Sequence, residues 1–314
     1  MYLVDDNRVK LFPVKNIMKW SCIKPHASAF AATLICLSTA SAFAEERLYQ
    51  GKTFSEWVNQ IDMEIPIAMG HEPEYWRAIQ FFGTNEIPKL IQWIKSDSTA
   101  LEDKREADRE KALAQGKHVP IFGPATYGSA ERAIAVFGIL GSSARSAIPA
   151  LTQIAVHSHD RVQYESAIHS LSLIEPDSLH AFETILTKSR PEARAEAVGW
   201  LPIFHTNVVA ILPASVNCLT GKDGNVGDIA ADELSRLEVP DAIVCPMLTN
   251  ALPVASAPTR LRIYRCLFWR CEGMSRTESN ESSRKETIRL LQAALNDKSY
   301  DVRDFTTNAL HDFH

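Results

Sequence analysis

The chain reads as all-α, a right-handed α-solenoid of stacked helical hairpins. Three observations predict this. First, an alanine or a substitute for it is followed four residues later by a large apolar residue. The pairs are Ala133/Phe137, Ala167/Leu171, Ala197/Leu201, Ala230/Leu234 and Tyr264/Phe268, in steps of 34, 30, 33 and 34 residues. Second, a proline marker keeps the same period. Pro149 opens "IPAL", Pro213 lies 64 residues further on, Pro246 another 33, and Pro88 in "IPKL" has the same setting. Third, glycine supplies only 13 of 314 residues, too few for a fold built on tight β-turns.

The elements follow in order. Met18 reads as the natural start, with residues 1–17 as an upstream extension. Residues 18–44 form a signal peptide. Lys19 and Lys24 are its basic end, Ala27 to Leu37 its apolar run, and Ala42-Phe43-Ala44 its cleavage site. The uncharged stretch Pro25 to Ala44 is rich in Ser, Thr and Ala, which suits a cleaved leader better than a stable membrane span. Residues 45–314 are then the solenoid, in a periplasmic or secreted location. Thr53 to Glu56 reads as a capping box that opens a short helix carrying Trp57 and Ile61.

Residues 97–118 are a charged helical insertion. The pairs Glu102–Arg105, Lys104–Asp108 and Asp108–Lys111 have the spacing that supports a solvated helix. Residues 273–283, "GMSRTESNESS", are a polar loop before the last hairpin.

Each period holds two helices. In "SAIPALTQIAV", Ile148, Leu151, Ile154 and Ala155 share one face. Pro149 fits the first turn, where no N–H is needed. In "DRVQYESAIHSLSLI", Val162, Ala167, Leu171 and Ile174 repeat the face, with Asp160 as the N-cap. The small residue at the alanine position allows close helix approach. A single hairpin leaves its apolar face open, and stacked neighbours cover it. His157-Ser158-His159-Asp160 is therefore a corner between two helices. As a zinc site it lacks the third or fourth ligand that such a site requires.

The pattern resembles HEAT repeats, a HEAT-like, ARM-type α-solenoid, with a short period similar to the bilin-lyase-type units. "YDVRDFTTNAL" (Tyr300–Leu310) is similar to the second helix of that family. The start of the exported chain resembles exported HEAT-repeat proteins of planctomycete and verrucomicrobial bacteria. Tyr49, Gly51, Lys52, Trp57, Gly83, Thr84, Asn85 and Pro88 carry that resemblance. It implies a solenoid and export, and no particular activity. Tyr164, Gly227 and Leu261 stand where Arg194 and Arg303 stand in their own repeats, so the family's arginine ladder is interrupted.

Composition narrows the function. Residues 1–44 hold five basic and two acidic residues, which leaves 28 basic against 36 acidic in the remainder. An acidic body repels phosphate backbones, so nucleic acid is not an expected partner. Gly221-Lys222 lacks the earlier glycine of a phosphate loop, because Val216 stands there. "DGNVGD" (Asp223–Asp228) lacks the spacing and terminal glutamate of a calcium loop. Neither H-E-x-x-H nor G-x-S-x-G occurs, and no cofactor or metal is implied.

After cleavage Cys218, Cys245, Cys266 and Cys271 remain. Cys218 and Cys245 align with core positions and read as small buried hydrophobes, with a disulfide as the alternative. Cys266 and Cys271 lie about 140° apart around one helix and are not expected to pair.

The expected function is an exported, non-enzymatic scaffold that binds proteins on its concave face. The alternatives are an enzyme on a HEAT-like frame, of lyase or hydrolase type, and an accessory subunit of a cell-envelope complex. The partner-binding residues expected from sequence are Arg262, Arg265 and Trp269. They form a basic, aromatic stripe on "TRLRIYRCLFWR", a segment of an otherwise acidic chain.

Overall fold

The computed structural model describes residues 46–61, 73–117, 128–272 and 281–313. The expected leader, its expected cleavage position after Ala44, residues 1–17 and residues 273–280 of the expected polar loop lie outside them. Arg47–His314 groups as one unit by its contacts. The described chain is all-helical; an isolated bridge between Tyr49 and Lys52 is the only β-type pairing among the described residues.

Helix α1 (Phe54–Val58) begins at the expected capping box. Thr53 Oγ1 accepts from Glu56 N at 3.3 Å, and Thr53 N donates to Glu56 Oε2 at 2.7 Å. Trp57 lies in this helix as expected, whereas Ile61 falls three residues past its end at Val58; both side chains are buried. Helix α2 (Glu74–Phe82) carries Ala78 and Phe82 into the core. Helices α3 (Ile87–Ser96) and α5 (Ser129–Leu140) pack as a pair, with α4 (Thr99–Ala114) between them in sequence. Five further pairs follow: α6 (Ile148–His157) with α7 (Arg161–Ser172), α8 (Leu179–Lys188) with α9 (Pro191–Gly199), α10 (Leu212–Thr220) with α11 (Gly224–Arg236), α12 (Asp241–Ala251) with α13 (Ala257–Cys271), and α14 (Glu281–Ala294) with α15 (Tyr300–Asp312).

First helices touch the first helices of adjoining pairs, from α3 through α6, α8, α10 and α12 to α14. Second helices do the same, from α2 through α5, α7, α9, α11 and α13 to α15. The alanine marker explains this contact. Ala133, Ala167, Ala197 and Ala230 are fully buried, and so are Phe137, Leu171, Leu201 and Leu234. Each such large side chain stabilises by ~1.5–3 kcal/mol on burial. Ser129–His157 has the length and mean hydropathy, 1.4, of a membrane span. Gly141 at φ +52° breaks it between α5 and α6, and Val136, Phe137 and Leu151 are placed in the core.

Four further details differ from expectation. Pro246 lies inside α12 and not in its first turn, because the helix already starts at Asp241. Leu201 falls outside α9 and opens the 3₁₀ segment Leu201–Ile211, which is kinked by non-helical backbone at His205. Pro202 disfavours the α conformation at Leu201, so the helix stops short of it. Glu281 to Ser283 belong to α14 and not to a loop, and Glu281 bonds Lys285 one turn on at 2.8 Å. In α4, Arg105 does not pair with Glu102. Arg105 reaches Asp97 at 2.9 Å, and Glu102 reaches Arg161 of α7.

The four cysteines are free thiols, with Cys218, Cys266 and Cys271 buried and Cys245 half-buried. Burial pushes Cys245 and Cys266 up to about 12. They remain protonated, and a protonated thiol is a poor nucleophile.

Candidate functional site: an acidic groove along the second helices

Helix α4 has no buried side chain of its own, yet its start is clamped. Asp160 caps α7 by accepting from Gln163 N at 3.3 Å, and the same carboxylate accepts from Thr99 N at 3.0 Å. The His157-Ser158-His159-Asp160 segment is therefore a helix corner that also anchors α4. Among the described residues no group of three His, Cys, Asp or Glu is placed to hold a metal ion. Asp97, which is 1% exposed, accepts from Arg105, from Ala130 N at 3.1 Å and from Ser98 N at 3.1 Å. Burial alone raises a carboxyl pKa, but these donors prevail and hold Asp97 below its ordinary 3.8. A side chain at Gly128 would overlap Asp97 and Arg105, which accounts for glycine there.

The clamp makes α4 one wall of a cleft. A cavity of about 310 Å³ lies between Glu102 and Arg105 of α4, Glu131 and Ile134 of α5, Val162, Glu165 and His169 of α7, and Glu196 of α9. A second cavity, about 450 Å³, is lined by Glu192 and Glu196 of α9, Trp200 just past its end, and Asn225 and Ile229 of α11. Glu196 borders both, so the two form one groove across four consecutive second helices.

Negative charge dominates this groove. Glu131 takes its bond from Gly128 N at 2.6 Å, and Glu196 takes its bond from Trp200 Nε1 at 2.8 Å. Both donors are neutral and leave the carboxylate charge in place. The charge of Arg161 is shared between Glu102 and Glu165. Burial raises the Glu165 carboxyl above 4.5; Arg161 opposes the shift, while Glu196 and Glu102 add to it. The His169 imidazole stacks on the Trp200 indole with centroids 4.4 Å apart, and burial lowers its pKa from 6.5. It is therefore neutral at pH 7. The arrangement can attract cations and can offer an aromatic surface to them.

The sequence-derived stripe is divided. Arg262 is 9% exposed and turns inward, donating from Nε to Asp228 Oδ1 at 2.7 Å. It packs over Gly227, where an added Cβ would stand 3.0 Å from Arg262 Nη1. Arg265 and Trp269 stay at the surface, Trp269 at 38% and edge-on to Phe268. Helix α13 also buries Arg270 completely. That guanidinium bonds Asp241 at 2.8 Å and the carbonyls of Leu234, Leu237 and Val239. Asp223 of "DGNVGD" is the N-cap of α11 and accepts from Val226 N.

Sequence reasoning missed Glu131, Glu165 and Glu196. A signal was present: each lies one or two residues before the marker alanine of its helix. No known protein family matches the chain, and no curated protein sequence matches it.

Proposed function

We propose that this protein is an exported, non-enzymatic protein–protein interaction scaffold. In this reading the hairpins form a right-handed HEAT-like solenoid, and the second helices line its concave binding face. One observation carries the proposal: the groove crosses four consecutive second helices, α5, α7, α9 and α11, and so extends along the array. A surface of that kind suits an elongated partner better than a compact substrate. Export rests on the leader in residues 18–44 and places the partner in the periplasm or outside the cell.

The test is site-specific photocross-linking in the native host. A photoreactive residue replaces Ile229 in the groove or Gln153 on the first helix α6. One protein partner captured repeatedly through position 229, and not through 153, supports the reading. Capture through 153 alone would sink it. N-terminal sequencing of the same product checks export, with Glu45 expected as the first residue.

A further inference from the structure

We infer that the groove receives an extended basic segment of a protein partner, with lysine or arginine at every third residue. The inference rests on the scaffold reading of the same face and specifies its ligand.

Charge complementarity is the first support. Six carboxylates face the groove (Asp97, Glu102, Glu131, Glu165, Glu192 and Glu196), against the guanidiniums of Arg105, Arg161 and Arg190, the last 3.8 Å from Glu192. Arg105 is committed to Asp97, and Arg161 to Glu102 and Glu165. The excess negative charge is held beside apolar Ile134, Val162 and Ile229, where solvent screens it less than on an open surface.

The second support is how the charge is distributed. Among the described residues no trio of these carboxylates is placed to hold a metal ion. They come instead from successive helices: Glu131 from α5, Glu165 from α7, Glu196 from α9. Packed helices lie ~8–10 Å apart. An extended chain in the polyproline II conformation advances ~3.1 Å per residue and returns to the same side every third residue, about 9.3 Å on. One cation per triplet therefore meets one carboxylate per helix. A β-strand alternates faces and would turn every second cation away.

Trp200 supplies the third support. It is packed on one side by His169 and lines the second cavity, beside Glu192 and Glu196. An indole flanked by carboxylates favours a guanidinium or ammonium group over a neutral side chain.

The experiment uses the full chain and two fluorescent dodecapeptides of equal composition. One repeats lysine–alanine–serine, and the other places all its lysines together at one end. Anisotropy is read at low and at physiological salt. The triplet peptide is expected to bind about tenfold more tightly than the clustered one, and Glu165→Gln with Glu196→Gln should weaken it by about tenfold or more. Trp200→Leu should weaken it further, and added salt should weaken it throughout. Circular dichroism of each variant confirms that the helices persist. Equal binding of the two peptides, or binding indifferent to the glutamine pair, overturns the inference. So does the absence of binding at low salt. If a partner cross-linked through position 229 is still captured by the glutamine double variant, the basic-segment inference fails and the scaffold reading stands. Cross-linking only through position 153 removes the scaffold face itself, whatever the peptides do.

Discussion

Two stretches of the second-helix face use charge in opposite ways. From α5 to α9, Glu131 and Glu196 are held by neutral donors, and Glu165 shares one arginine with Glu102. From α11 to α13, Arg236 is likewise shared, by Asp232 and Glu233, but three arginines of α13 each meet an anion of their own. Asp228 meets Arg262 at 2.7 Å, Asp241 meets Arg270 at 2.8 Å, and Arg260 reaches across to Asp297 at 2.6 Å. The register makes the contrast informative. Glu131, Glu165, Asp228 and Arg262 all stand two residues before the marker of their helices. The same place in the repeat is a groove-facing charge in one stretch and half of an ion pair in the next. The residue carried by the following helix decides which.

The matched stretch should be the costliest to disturb. Arg270→Ala leaves the Asp241 carboxylate buried beside three carbonyls that have lost their donor. It is expected to cost ~3–5 kcal/mol by urea unfolding, the usual range for breaking one side of a buried pair. A near-neutral value would remove the claim that this stretch is an electrostatic brace. Leu171→Ala and Leu201→Ala lie under the two stretches' common core, both fully buried. Each should cost ~2–5 kcal/mol. A small loss at both would mean that the stacked helices do not share one core.

Acidity separates matched from unmatched carboxylates by sign. Hydrogen bonds from Arg260 hold Asp297 below its ordinary 3.8, despite partial burial. Its contribution is therefore present above pH 3.8 and is lost as pH falls through the lower folded value. Glu165 is shifted upward from 4.5, mainly by burial. It favours the folded state below pH 4.5, and that advantage fades as pH rises through the raised folded value. Unfolding free energies of wild type minus Asp297→Asn, and of wild type minus Glu165→Gln, should slope in opposite directions with pH. Parallel slopes would erase the distinction.

Arg262→Ala sharpens the comparison at lower cost. Its partner Asp228 has a side chain 57% exposed, so the pair itself is worth only ~0–1 kcal/mol, and the lost packing of the buried Arg262 stem over Gly227 brings the expected cost to ~1–2 kcal/mol. The change frees Asp228 next to Asn225 and Ile229 and lengthens the acidic groove. The triplet peptide should then bind a few-fold more tightly; unchanged or weaker binding would show that the groove ends before α11. The smallest effect is expected at Arg265, exposed and without an ion-pair partner among the described residues. Arg265→Glu should stay within ~0.5 kcal/mol by thermal unfolding.

Much of this architecture follows from local sequence. The Thr53–Glu56 box, the Asp160 cap, and Pro88, Pro149 and Pro213 near helix starts act within one turn, and each stands where the residues predict. The recurring alanines Ala133, Ala167, Ala197 and Ala230 likewise mark which face of each second helix enters the core, because helical period alone sets the face. The site was not legible in that way. Arg262 and Arg265 both lie on the surface stripe when α13 is drawn alone; Asp228, 34 residues earlier, draws one of them inward and leaves the other outside. The groove needs Glu196 between two cavities and α4 held by Asp97 and Asp160, contacts that span 33 to 61 residues of chain. The helices and their buried faces are local properties of the sequence. Which charges find partners, and which remain facing solvent, depends on how one hairpin lies on the next.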